Sequence, residues 1–215
     1  MSGPQAPERP RHLSMLRSYT AADLLTIGNA TCGTIAIFLC LNYLAEDRRP
    51  SILAIAFVLL PLALLCDILD GYVARLDRRR QSVLGGDLDS LADVISFGVA
   101  PAVLGFTLGL RGGWDMVVLA YFVVCGVSRL ARFNVTASAL ADAATGKVQY
   151  FEGTPIPTSI AIVALLAVAF FTGATDEHLW FGHYRLGFAG FHPLSLLYGL
   201  SGSAMISATL RIPKP

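Results

Sequence analysis

Six apolar stretches run through this chain, and they restrict it to one kind of fold. A helix needs about 20 mostly apolar residues to cross the hydrocarbon core of a bilayer. Stretches of that kind cover roughly 23–45, 51–76, 89–110, 115–135, 156–173 and 190–210. Backbone groups in lipid have no water to bond to, so these segments are expected as α-helices. The expected fold is all-α and integral to a membrane, with six transmembrane helices. Composition agrees: 54% of the 215 residues are hydrophobic and only 14% charged, with a mean hydropathy of +0.61. Soluble domains carry about 25% charged residues. A net charge of +1 offers no basic surface for nucleic acid. No internal repeat supports a transporter built from inverted halves. Cys32, Cys40, Cys66 and Cys125 lie in apolar runs without metal-site spacing and read as buried thiols.

Residues 1–22 read as a polar N-terminal segment ahead of a membrane domain spanning 23–211. They carry Arg9, Arg11 and Arg17 and lack the apolar core of a cleavable signal peptide. Within them, 8–18 has the pattern of a short amphipathic helix lying at the membrane interface. Thr20 with Asp23 three residues later reads as a capping box opening the first span. Lysine and arginine placement sets the orientation. Twelve of the sixteen basic residues fall in the N-terminus, the second and fourth connections and the C-terminus. Both termini are thus expected in the cytoplasm, in a multi-pass protein of the cell membrane.

Four carboxylates lie where lipid is expected. Asp67 and Asp70 end the second run, and Asp89 and Asp93 begin the third. Asp67, Asp70, Gly71 and Ala74 are spaced to share one helix face, and so are Gly85, Asp89 and Asp93. The short connection predicts antiparallel neighbours whose four carboxylates converge at the cytoplasmic end. Each ionised Asp deep in a bilayer costs about 2.5–3.5 kcal/mol, so a counter-charge is required. Grouped carboxylate oxygens suit a hard cation, Mg²⁺ or Mn²⁺, and two such ions suit phosphoryl displacement. Gly71 and Ala74 serve either close helix packing or the approach of a ligand. Arg75 either caps its helix, reaches a phosphate, or joins Arg78, Arg79 and Arg80 in enforcing topology. Asp77 and Asp87 fall off the shared faces and read as loop residues.

The string Asp67-x2-Asp70-Gly71-x2-Ala74-Arg75, followed by Gly85-x3-Asp89-x3-Asp93, resembles the signature of the CDP-alcohol phosphotransferases at all eight of its fixed positions. Nine residues rather than the usual eight separate Arg75 from Gly85, and the extra one falls in a loop. Three further strings, "LDSLADVISFGVAPA", "SRLARFNV" and "FEGTPIPTS", are similar to the bacterial and archaeal phosphatidylserine synthases within that family. With "LLTIGNATCG" the resemblance covers most of residues 24–160. One departure is Ala22-Asp23, where a Pro-Asn pair usually precedes "LLT".

The resemblance implies a six-span, homodimeric membrane enzyme. Its reaction would transfer phosphatidyl from CDP-diacylglycerol to the hydroxyl of L-serine, releasing CMP. It implies metal ligation by Asp67, Asp70, Asp89 and Asp93, with Asp93 also the general base. It places Gly71, Ala74, Arg75 and Gly85 along the CMP half of the donor. A hydroxyl is a poor nucleophile at neutral pH, so a nearby base is chemically needed.

Arg129 and Arg132 share a face near the cytoplasmic end of the fourth span. They either grip a phosphate or the serine carboxylate, or snorkel to the interface. Lys147, Glu152, Pro155 and Pro157 suggest a loop over the site, or simply the start of the fifth span. His178, His183 and His192 fall toward the far side. Ser128, Asn29 and Asn134 either touch substrate or bond between helices. Glycerol 3-phosphate, choline or inositol phosphate are the competing acceptors, and a phosphorylated one would want more basic residues. A cation channel or transporter is the competing class, but it would need polar residues along its whole depth.

Overall fold

The computed structural model describes residues 19–45, 48–76, 85–141, 150–187, 189–207 and 211–213. The interfacial helix expected over 8–18, and Asp77, Arg78, Arg79, Arg80 and Lys147, lie outside them. The fold is mostly helical, as an all-α membrane protein should be. Helix α1 runs Ala21–Ala45, α2 Pro50–Leu76, α3 Gly85–Asp93, α4 Ala100–Leu108, α5 Gly113–Ala141, α6 Ile160–Phe171 and α7 Leu196–Ile206. A π-helical segment, Val94–Val99, joins α3 to α4 into one span of 24 residues.

Four helical stretches are long and apolar enough to cross a membrane: Ala21–Ala45, Pro50–Leu76, Gly85–Leu108 and Gly113–Val135. The last two expected spans appear as shorter apolar helices, Ile156–Phe171 and Pro193–Ile206. Each opens with a 3-10 turn containing a proline in its first positions. The start of α1 is capped as expected. The Thr20 amide donates to Asp23 Oδ2 at 2.7 Å, and the Asp23 amide donates to Thr20 Oγ1 at 3.3 Å.

The third span is the central element, with 67% of its most apolar stretch buried against 28% for each of the other long helices. Its Phe97, Leu104 and Leu108 join Leu53 and Leu60 of α2, Phe122 of α5, Leu166 of α6 and Tyr198 of α7 in one core. The Tyr198 hydroxyl donates to the Pro101 carbonyl at 2.6 Å, so the buried phenol keeps a partner. Outward, α2 exposes Ile55, Val58, Leu65, Ile68 and Tyr72, an apolar face suited to lipid.

One expected neighbour relation is corrected. The second and third spans are not simply packed side by side. Helix α1 lies along α2 and also packs against α3, the π segment and α4, whereas α2 and α3 approach each other sparsely. The close approach of α1 depends on Gly33, where a Cβ would stand 2.4 Å from Ser96 Oγ and 2.8 Å from Ser96 Cα. Asp87 is also corrected, from loop to the first turn of α3.

The end of the bundle away from the four aspartates is tied together by ionic contacts. Asp176 meets Arg48 at 2.5 Å and Arg111 at 3.2 Å, joining three connections. Asp115 is fully buried and accepts from the Gly112 amide and the His192 amide, each at 2.8 Å. His192 Nδ1 also lies 2.6 Å from Asp115 Oδ2. The His183 ring packs on His192 at 4.8 Å. A short hairpin, Tyr184–Leu186 with Ala189–Phe191, lies between these two histidines.

Candidate metal centre and adjoining pocket

Asp67 comes from the C-terminal half of α2, and Asp89 and Asp93 from successive turns of α3. One oxygen of each lies within 4.8 Å of the others. Like charges that close repel strongly wherever water is scarce. Two oxygens bound to one Mg²⁺ at about 2.1 Å stand at most about 4.2 Å apart, so small side-chain rotations complete such a site. Asp89 Oδ1 is buried without a hydrogen-bond partner among the described residues. An acceptor left short of a donor is what a hard cation satisfies. The residues therefore fit a divalent metal.

Asp70 does not join this trio. Its carboxylate is buried and accepts from Thr26 Oγ1 of α1 at 2.6 Å. The expected convergence of four is thus three carboxylates, with the fourth held beside them. Asp70 remains close enough for its charge to act on Asp67, Asp89 and Asp93. Helix α1 also supplies Asn29, whose Nδ2 donates to Asp93 Oδ1 at 3.4 Å. Ser96 Oγ in turn donates to the Asn29 carbonyl at 2.9 Å.

The residues expected along a nucleotide are open. A Cβ at Gly71 would meet nothing nearer than Arg75 Nη2 at 3.9 Å, so no helix among the described residues packs there. Ala74 and Arg75 are exposed and Gly85 is half-buried. Arg75 Nε donates back to the Gly71 carbonyl at 3.0 Å.

Beside Asp93 lies a pocket of about 410 Å³. Among the described residues, Asp89, Asp93, Arg129, Asn134, Asp87 and Ser90 give it polar walls, and Phe133, Pro155 and Pro157 apolar ones. Its size falls at the small end of ligand sites, about 300–1,000 Å³. Arg129 Nε is buried without a hydrogen-bond partner among the described residues, and Arg129 feels the charge of Asp93. Arg132 is exposed and does not border the pocket, so the two arginines diverge. Pro155 and Pro157 line the pocket and also lead into the fifth apolar helix.

Sequence reasoning misses Thr26 and leaves Asn29 undecided. A signal for both exists: Asp23, Thr26 and Asn29 recur every third residue in an apolar helix, and all are buried.

The description "CDP-alcohol phosphatidyltransferase" belongs to a family model that matches residues 19–189. A Saccharomyces cerevisiae protein named CDP-diacylglycerol–serine O-phosphatidyltransferase is 43% identical over 206 residues, covering 95% of this chain and 74% of its own. An archaetidylserine synthase of Methanothermobacter thermautotrophicus is 38% identical, over 66% of this chain and 55% of its own. A Helicobacter pylori CDP-diacylglycerol–serine O-phosphatidyltransferase is 37% identical, over 68% and 56%. The chain thus spans just over half the length of the last two. No solved structure matches it at a significant level. The signature positions, the matched length and the identity to these relatives agree: the chain belongs to the CDP-alcohol phosphatidyltransferase family.

Proposed function

We propose that the chain transfers the phosphatidyl group of CDP-diacylglycerol to the hydroxyl of L-serine, giving phosphatidylserine and CMP. The observation that carries this is the meeting of Asp67, Asp89 and Asp93, the last two of which also wall a pocket together with Arg129. The names of the relatives, serine phosphatidyltransferases from yeast and bacteria, favour serine as the acceptor.

Asp67, Asp89 and Asp93 would hold Mg²⁺ or Mn²⁺, as two ions, with Asp70, held at one oxygen by Thr26, offering its other oxygen from beside them. Such ions, when bound, supply positive charge to the pyrophosphate of the donor and to the departing CMP. Asp93 borders both the carboxylate trio and the pocket. From there its carboxylate takes the serine hydroxyl proton as the oxygen bonds to the phosphorus bearing diacylglycerol. The bond from that phosphorus to the CMP oxygen breaks, and CMP carries off the electron pair. Arg129 holds the serine carboxylate with a guanidinium suited to two parallel hydrogen bonds. Arg132, exposed on the same helix, is left for a lipid-side phosphate. The open surface over Gly71, Ala74, Arg75 and Gly85 takes the cytidine half of the donor.

The two shorter apolar helices complete a bundle of six spans, with both termini and the site on the cytoplasmic side of the cell membrane. The placement of basic residues supports that orientation. The family resemblance supports a homodimer. A phosphorylated acceptor is disfavoured, since Arg129 is the one cation among the described residues lining the pocket.

Purified protein with CDP-diacylglycerol and Mg²⁺ or Mn²⁺, offered a panel of alcohols and scored by CMP release, tests the proposal. Serine should be preferred, chelation should stop release, and added metal should restore it. Full activity after metal is stripped, or preference for another alcohol, would overturn it.

A further inference from the structure

The pocket beside Asp93 carries opposite charges on its walls. Arg129 supplies the positive side. Asp87, in the first turn of α3, supplies a negative one and stands apart from the carboxylate trio. Among the described residues no cationic side chain pairs with Asp87. The partner that the structure gives it is neutral: Asn134 Nδ2 approaches Asp87 Oδ1 at 3.5 Å. The Asn134 amide is itself oriented, because Ser90 Oγ lies 3.1 Å from its Oδ1. A carboxylate is thus held at the rim by a positioned amide, with no counter-charge among the described residues.

We propose that Asp87 receives the ammonium group of the acceptor, while Arg129 takes its carboxylate. This rests on the serine reading above and says how serine is told from other alcohols. A zwitterion satisfies both walls at once. A neutral alcohol leaves both charges unpaired, and an anionic acceptor without an amine places its charge against Asp87. Sites built to bond a polar group reject analogues that lack it, because their own groups are then left unpaired. With the carboxylate and the ammonium held at separate points, a third contact from the hydroxyl to Asp93 fixes the orientation of the acceptor.

The test is full-length protein in detergent with CDP-diacylglycerol and Mg²⁺, comparing wild type with Asp87→Asn, Asp87→Glu and Asn134→Ala. Asp87 is exposed, so loss of its contact should raise the KM for serine about 5-fold in Asp87→Asn. Its kcat should stay within about 3-fold and the KM for CDP-diacylglycerol should not move. The preference for serine over glycerate, which lacks the amine, should shrink in the same variant. Asp87→Glu should recover most of the affinity, and Asn134→Ala should show a smaller rise. An unchanged serine KM and unchanged discrimination against glycerate would overturn the assignment. So would a loss shared equally with CDP-diacylglycerol, which would place Asp87 in the donor site. Wild type that ignores serine altogether is a separate result, and it would sink the serine reading itself.

Discussion

Asp93 is the residue at which the two halves of the site meet, since it belongs to the carboxylate trio and also borders the pocket. Asp93→Asn should lower kcat by about 10²- to 10⁴-fold, the usual worth of a general base. Equilibrium binding of CDP-diacylglycerol should persist, and a near-normal rate would move the base elsewhere. Thr26 acts one step back, through Asp70. Thr26→Val should raise the metal concentration for half-maximal activity by about 10- to 100-fold, as loss of an outer-shell partner does. An unchanged metal titration would show that Asp70 is held by other means. The aspartates are readable in the sequence because an apolar run seldom carries acids at three- and four-residue spacing unless they bind something. The turning aside of Asp70 is not readable. Spacing assigns a side chain to a face, but its partner depends on which helix lies alongside.

At the scale of elements, the fit of α1 against the third span decides where the carboxylates stand. Gly33 allows that fit, because a Cβ there would collide with the Ser96 backbone as well as its side chain. Gly33→Ala should destabilise the protein by about 1–3 kcal/mol, the usual cost of overpacking. Thermal unfolding in detergent reads this directly. Adding Ser96→Ala should not rescue it, because the clash with Ser96 Cα remains. Rescue would mean that the side chain alone sets the spacing. The limits of the long helices are readable to within a few residues from apolar length alone. The π segment is not, because a hydrogen-bond shift from four residues to five leaves no mark on composition. It is visible only in bonds such as that from the Ala100 amide to the Ile95 carbonyl. Asp87 reads as loop for a related reason: α3 begins at Gly85, in polar sequence ahead of the apolar run.

Across the whole molecule, the two ends of the bundle are built differently. One gathers carboxylates that repel one another, and the other ties its connections with complementary charges. Within the second set, burial separates a strong tie from a weak one. Asp115→Ala strands a buried amide, a half-buried one and an imidazole nitrogen, and should cost about 3–5 kcal/mol. Asp176→Ala breaks partly exposed pairs and should cost about 0–1 kcal/mol. Thermal unfolding of the two variants, with unchanged KM for both substrates, checks the contrast. Equal losses would mean that exposure does not govern these pairs. Arginine placement assigns the connections to sides. It is silent on the order in which helices pack, since α1 wedged along two others leaves no trace in one-dimensional spacing.

The wider turn between Asp93 and Ala100 has a consequence for anyone probing this span. Each inserted residue rotates the downstream turns by about 100° relative to an unbroken helix. A helical wheel drawn with a single period would therefore assign the wrong side of the span to half its length. Cysteine substitutions labelled one by one from the aspartate end should mark a single accessible stripe up to Asp93. Beyond Ala100 that stripe should not continue along the same line.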